Sequence, residues 1–203
     1  MPVLVWRFAV PMRAIASSPL GGGIGVRRWA VNAQVPSNYG RRDPAHHLGK
    51  LVVSLGMAGR GVGMLTAADV RAFTTADDGG VHAVATVGLG QPTQAAAPDP
   101  AAGATAAGGR ADGYAGTINL LVVVPERLTD AALVNAVATA TEAKVQAIRD
   151  LGIPATGTAT DAVCIACPDD GRPHAFGGPR SLWGARLARA VHAAVLAGGQ
   201  VQP

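Results

Sequence analysis

Three polar residues occupy positions where the surrounding pattern calls for apolar ones: Asn119 in "TINLLVVV", Lys144 in "TATEAKVQA" and Asp161 in "TATDAVCIA". Burial penalises the charged form of an unpaired lysine or aspartate. Such groups therefore either pair with each other or become candidates for acid/base work. The plainer reading is an internal Lys144–Asp161 ion pair, or a lysine whose ammonium reaches out to the helix end. Glu142, two positions before Lys144, points elsewhere on a helix, so the two charges cannot neutralise each other locally.

Other chemistries find less support. No G-x-S-x-G surrounds Ser54 or Ser181. His46 and His47 fall in the first turns of a helix, where they could serve as a base or as ligands, although solvated histidines are common there. Cys164 and Cys167 form a C-x-x-C and, with His174, offer three metal ligands at most, whereas a structural zinc site wants four. No metal is expected. The glycines of "SSPLGGGIG" lack the G-x-G-x-x-G spacing of a dinucleotide site, because Gly23 and Gly25 are followed by Val26, Arg27 and Arg28.

The elements that must position these residues are legible from periodicity. At ~3.6 residues per turn, a helix from Asp130 to Leu151 places Leu133, Val137, Thr141, Val145, Ile148 and Leu151 on one stripe. Lys144 lies within that stripe, and Asn135, Thr139, Glu142 and Gln146 face away. On the strand "TATDAVCIA", Asp161 shares a face with Val163 and Ile165, opposite Thr158 and Thr160. On "TINLLVVV", Thr117 and Asn119 share a face with Leu121 and Val123, and the unbroken apolar run predicts a strand covered on both sides. Extended segments are expected at Val3 to Ile15, Arg28 to Ala33, Val62 to Leu65 and Val81 to Val87. A helix with Asp43 as N-cap and Pro44 in its first turn should run to about Ser54, and a last helix from about Leu182 to Leu196. Between the strands, "GQPTQAAAPDPAAGATAAGGRADGYAG" has no periodicity and predicts a mobile loop over about 90–115. Together these make a single-domain α/β fold, a sheet with packed helices, whose strand order the sequence does not determine.

The chain has 203 residues, enough for one domain with a substantial core. Every hydrophobic run is interrupted well short of the ~20 residues of a membrane span. Arginines and a proline inside the apolar N-terminal stretch argue against a signal peptide, so a cytoplasmic protein with no membrane partner is expected. The net charge of +4 comes from scattered arginines, and with three Trp, two Tyr and three Phe there is little to stack on bases. Nucleic-acid binding is not expected. A homo-oligomer is compatible with the sequence.

Several segments carry a resemblance: "PLGGGIG", "WAVNAQVPSNY", "DPAHHL", "GVGMLTAADV", "ATVGLG", "GTINLLVVVPERLTDAALVNAVATATEAKVQAIRDLG" and "GTATDAV". In this order, and over most of the chain, they resemble the adenosylcobinamide amidohydrolase family of cobamide salvage. The combination of G-T-I-N, T-E-A-K and G-T-x-T-D-A is the specific part. The resemblance implies hydrolysis of the amide joining the corrin propionyl group to aminopropanol, releasing adenosylcobyric acid and 1-amino-2-propanol. The product then re-enters cobamide synthesis without phosphorylation of cobinamide. The corrinoid is substrate, and no cofactor is implied. One departure follows "VGL", where the family's Asn and nearby Gly are replaced by Gly90, Gln91 and Ala95 to Ala97.

Amide hydrolysis needs an activated water or nucleophile, a proton for the leaving amine and donors for the oxyanion. Among residues matching the motifs, Asp161 or Glu142 could activate water and Lys144 could protonate the amine or stabilise charge. Asn119 and Asn32 could donate to the oxyanion, and His46, Thr117, Thr158 and Thr160 could contact substrate. Two alternatives stand beside this. Thr117, after a small residue at a strand start, could be the nucleophile of a self-processing amidase. The chain could also be a non-catalytic corrinoid-binding or delivery protein.

Overall fold

Alternating burial along its strands gives the sheet two apolar faces. The computed structural model describes residues 1–98 and 116–201. Its elements are β1 (Val3–Ala16), β2 (Gly23–Gln34), α1 (Pro44–Ser54), β3 (Gly61–Thr66), β4 (Thr74–Asp78), β5 (Val81–Gly88), β6 (Pro92–Thr93), β7 (Thr117–Val123), α2 (Asp130–Asp150), β8 (Gly157–Thr158), β9 (Ala162–Pro168) and α3 (Leu182–Gln200). Among the described residues, seven strands form one mixed sheet in the order β3-β2-β1-β9-β7-β5-β4, and β6 pairs with β8. The parallel pairs are β2 with β3, joined through α1, and β7 with β9, joined through α2. No described helix is long and apolar enough to cross a membrane.

One face of β5, β7 and β9 presents Ala85, Ile118, Leu120, Val122, Val163 and Ile165 to α2 and α3, and this is the larger core. On β2, Trp29, Val31 and Ala33 meet Leu48 and Val52 of α1. The opposite face is interior as well. Met12, Ala14, Ala30, Met64, Val84, Leu121, Ala162 and Cys164 form one cluster drawn from six strands. Asn32 of β2 donates to Thr86 Oγ1 of β5 at 2.9 Å, although three strands separate them in the sheet order. In a flat sheet four spacings of ~4.8 Å would hold them roughly 19 Å apart. The sheet is therefore curled over on itself. Its inner face is rich in alanine, which lets the two halves approach, and β1 bends at a register shift between Arg7 and Met12.

Several sequence expectations need correcting. In α2 the buried face is Ala132, Leu133, Ala136, Thr139, Ala140, Ala143, Lys144, Ala147 and Ile148. Val137 and Val145 are only half-buried, Thr141 is exposed, and Thr139 is buried, donating to Gly177 O at 2.9 Å. Leu133, Lys144 and Ile148 are buried as expected, but close packing of α3 selects small alanines beside them, so ranking by hydrophobicity turned the stripe partway off the buried face. The strand expected from Thr158 begins only at Ala162; Thr158 belongs to β8 and a turn intervenes. Strand β4, "TTADD", is a polar edge strand without apolar alternation, so periodicity missed it. Within the stretch expected to be mobile, Pro92–Thr93 pairs with Gly157–Thr158, and residues 99–115 lie outside the described residues. Asp43 is the N-cap of α1 as expected, but its carboxylate makes no cap bond and pairs with Arg41 instead.

Arg13 of β1 grips Asp130, in the first turn of α2, through two contacts of 2.6 Å. This contact holds the Asp130 carboxyl below its ordinary value. A depressed carboxylate contributes stability that is present above its unfolded pKa of ~3.9 and lost as pH falls through the folded value. Thermal melts from pH 7 to pH 3 should therefore show less acid loss in Asp130→Asn than in the parent. The difference should be small, because the pair is partly exposed. Identical pH slopes would remove this pair from the acid response.

Candidate functional site

Strand β9 begins one residue after Asp161, and its parallel partner β7 begins at Thr117, so the two strand starts lie side by side with Asn119 opposite Ala162. Asp161 points back toward α2, where Lys144 Nζ donates to its Oδ2 at 2.5 Å. Both side chains are nearly buried, at 9% and 12% exposure. The Thr158 backbone N–H also donates to Oδ2. Oδ1 accepts from the Ile118 backbone N–H at 2.9 Å and from the Thr158 hydroxyl at 2.5 Å. Two oxygens offer about four acceptor positions, and all four are taken. Asp161 thus ties together β7, β8 and α2. Gly157 lies against the pair so closely that a Cβ there would collide with Asp161 Oδ2 and Lys144 Nζ, so the position requires glycine.

Beside this cluster the Thr117 and Thr160 hydroxyls are 2.7 Å apart, and Thr160 also reaches Gly116 O at 3.3 Å. Thr117, Thr160, Asp161 and Ala162 floor a cleft of about 390 Å³. Leu65, Thr66 and Ala67 extend the floor, and Tyr39 and Arg41, from the segment leading into α1, form one wall with Pro44 at the start of that helix. Thr160 and Asp161 are adjacent, yet one faces the cleft hydroxyl pair and the other faces Lys144.

Asn119 and Asn32 form a second group on the inner face of the sheet. Asn119 Nδ2 donates to Asn32 Oδ1 at 2.9 Å and to Leu65 O at 2.8 Å, and Asn32 passes the chain on to Thr86. Asn119 Oδ1 is buried without a hydrogen-bond donor among the described residues. This group supports the cleft from below through Leu65, while Lys144 approaches from the helix-covered side. The three residues that the pattern singled out therefore divide into two groups on opposite faces, which meet at the start of β7.

The remaining sequence candidates lie elsewhere. Glu142 is exposed and borders a shallow depression on α2 with Thr141, Val145 and Gln146, separate from the cleft. His46 is exposed, and it is its neighbour His47 that reaches the cleft wall, with Nδ1 2.9 Å from the Tyr39 hydroxyl. The sequence reading missed Tyr39; an aromatic in the polar loop "PSNYGRRDP" was the available signal. Cys164 and Cys167 are free and buried, one in the inner core and one in the helix-covered core. Three residues apart on a strand, they point to opposite faces and cannot share an ion. Burial pushes the Cys164 thiol up to about 12 and raises that of Cys167. His174 packs edge-on against Trp183, with centroids 6.0 Å apart.

Comparison with known proteins bears on this arrangement. The family model described as "Adenosylcobinamide amidohydrolase" matches residues 1–203. A protein of that name from Methanosarcina mazei is 28% identical over 191 residues, covering 90% of this chain and 88% of its own length. Another, from Halobacterium salinarum, is 40% identical over 121 residues, covering 59% of this chain and 50% of its own.

Proposed function

The chain belongs to the adenosylcobinamide amidohydrolase family of hydrolases, and from that premise we propose that it cleaves the amide joining the corrin propionyl group to aminopropanol in adenosylcobinamide. The products are adenosylcobyric acid and 1-amino-2-propanol, and the reaction serves cobamide salvage. The observation that carries this reading is the junction of the Lys144–Asp161–Thr158 cluster with the Thr117–Thr160 hydroxyl pair on the floor of one cleft.

In this reading a water oxygen attacks the amide carbon over the hydroxyl pair. The pair uses one of its two protons internally, and the other turns toward the developing oxyanion. Of the four donors to Asp161, only the Thr158 hydroxyl and the Lys144 ammonium carry transferable protons. The water proton passes to the Asp161 carboxylate, which lines the cleft, and a proton returns from it to the nitrogen as the C–N bond breaks. Lys144 holds the carboxylate in place and balances its charge. Glu142 and His46 have no part in this scheme, and Asn119 and Asn32 shape the cleft floor without touching substrate.

A threonine nucleophile remains the second mechanism, favoured by the Thr117 hydroxyl lining the cleft. One experiment addresses both readings. Incubation with adenosylcobinamide, followed by chromatography and mass analysis, should release aminopropanol from a protein whose own mass is intact. Two fragments split between Gly116 and Thr117 would instead establish self-processing. A folded protein that binds the corrinoid and releases no aminopropanol would be a delivery protein.

A further inference from the structure

Tyr39 is held more tightly than its place on a connecting segment requires. Its hydroxyl meets His47 Nδ1 at 2.9 Å, and its ring lies 19° from parallel to the imidazole, with centroids 5.6 Å apart. His47 in turn belongs to α1, which Leu48 and Val52 anchor against Trp29, Val31 and Ala33 of β2. Holding a half-buried aromatic in one orientation costs conformational entropy, and here the fold bears that cost before any ligand arrives. The ring stands at the cleft wall beside Pro36, Arg41 and Pro44.

The size of the cleft says what can reach that ring. About 390 Å³ lies near the lower end of the ~300–1,000 Å³ that enclose drug-sized ligands. A corrin macrocycle bearing an axial nucleoside is larger than such ligands. An amide arm fits inside, and the macrocycle stays at the mouth, where its broad conjugated ring meets a fixed aromatic face while its rim amides stay in water.

We propose that Tyr39, oriented by His47, is a specificity-determining platform for the corrin macrocycle outside the cleft, while the amide arm reaches Thr117 and Thr160. This rests on the corrinoid-amide reading of the cleft. Tyr39 is a binding residue, and His47 is a positioning residue that acts through it.

The test uses the intact protein and two probes: adenosylcobinamide, and adenosylcobyric acid, which keeps the macrocycle and lacks the aminopropanol arm. Binding is followed by the visible absorbance of the corrinoid, turnover by aminopropanol release, and folding by melting temperature. Tyr39→Leu should weaken binding of both probes about tenfold or more and raise KM similarly, with kcat within about threefold, the pattern of lost uniform binding. Tyr39→Phe should bind between the parent and Tyr39→Leu, because it keeps the ring and its stacking on His47 but loses the hydroxyl bond that orients it. His47→Leu should weaken binding partway, and the double variant should be no worse than Tyr39→Leu alone, because one residue acts through the other. Weakened binding of adenosylcobinamide with unchanged binding of adenosylcobyric acid would overturn the proposal by placing Tyr39 on the arm. A fall in kcat at constant KM would overturn it by placing Tyr39 in the chemistry. A parent protein that binds both probes without releasing aminopropanol would defeat the amidase reading and leave the Tyr39 comparison measurable by affinity.

Discussion

Asp161→Asn is expected to cost about 3 to 5 kcal/mol of stability, the range for breaking a buried pair by removing one partner, and Lys144→Met distinctly less. The asymmetry comes from the hydrogen bonds at the carboxylate. Without Lys144, the Asp161 charge still accepts from Ile118 N–H, Thr158 N–H and the Thr158 hydroxyl, and a methionine keeps the stem of the lysine packed. With asparagine at 161, the amide nitrogen replaces one oxygen and confronts the two donors that oxygen received. The Lys144 ammonium then stays buried without its counter-charge. At ~2–4 °C per kcal/mol for a chain of this size, Asp161→Asn should lower the melting temperature by roughly 10 °C. Turnover per folded molecule should fall about 100-fold or more in both variants, the scale of a lost acid/base group. Melting curves and aminopropanol release on the two single variants and the Lys144→Met/Asp161→Asn double would decide it. Full turnover in a stable double variant would remove both residues from the mechanism, and equal destabilisation by the two single changes would contradict the four-donor account.

Asn119→Ala should be the other large effect, through stability. One amide nitrogen serves two buried acceptors, Asn32 Oδ1 and Leu65 O. Removing it strands both, at about 1 to 3 kcal/mol each, so a loss of about 2 to 6 kcal/mol is expected. Asn32→Ala should cost less, because Asn119 keeps Leu65 O and only Thr86 loses its donor. Activity per folded molecule should also fall in Asn119→Ala, because Leu65 lines the cleft. Denaturant melts compare the two variants directly. An Asn119→Ala protein within about 0.5 kcal/mol of the parent, the range of an ordinary surface change, would show that this bridge does not hold the curled sheet closed.

What could be read from the residues alone were features set by near neighbours in the chain. The unbroken apolar run of "TINLLVVV" and the Asp43-Pro44 helix start correspond to β7 and α1 as observed. The α2 helix was legible over its full length, and Thr129, whose side chain accepts from the Ala132 N–H, caps it. The order of the motifs carried the family, and Lys144 and Asp161 stood out because each broke a local pattern.

The tertiary structure decided which of these outliers meet and from which side. Asn119 and Lys144 look alike in the sequence, as polar residues in apolar elements, yet Asn119 of β7 turns to the inner face of the sheet and Lys144 of α2 comes from the helix-covered side. Asn32 and Thr86 bond only because the sheet curls, and His47 takes the place expected of His46 because the α1 face packed on β2 turns one of two adjacent histidines toward Tyr39. The buried face of α2 was likewise set by the closeness of α3, which accepts alanine and excludes the larger side chains that hydrophobicity ranks higher. Each of these outcomes depends on contacts between residues tens of positions apart, and the geometry that creates those contacts, the curl of the sheet and the approach of two helices, arises only when the whole chain packs.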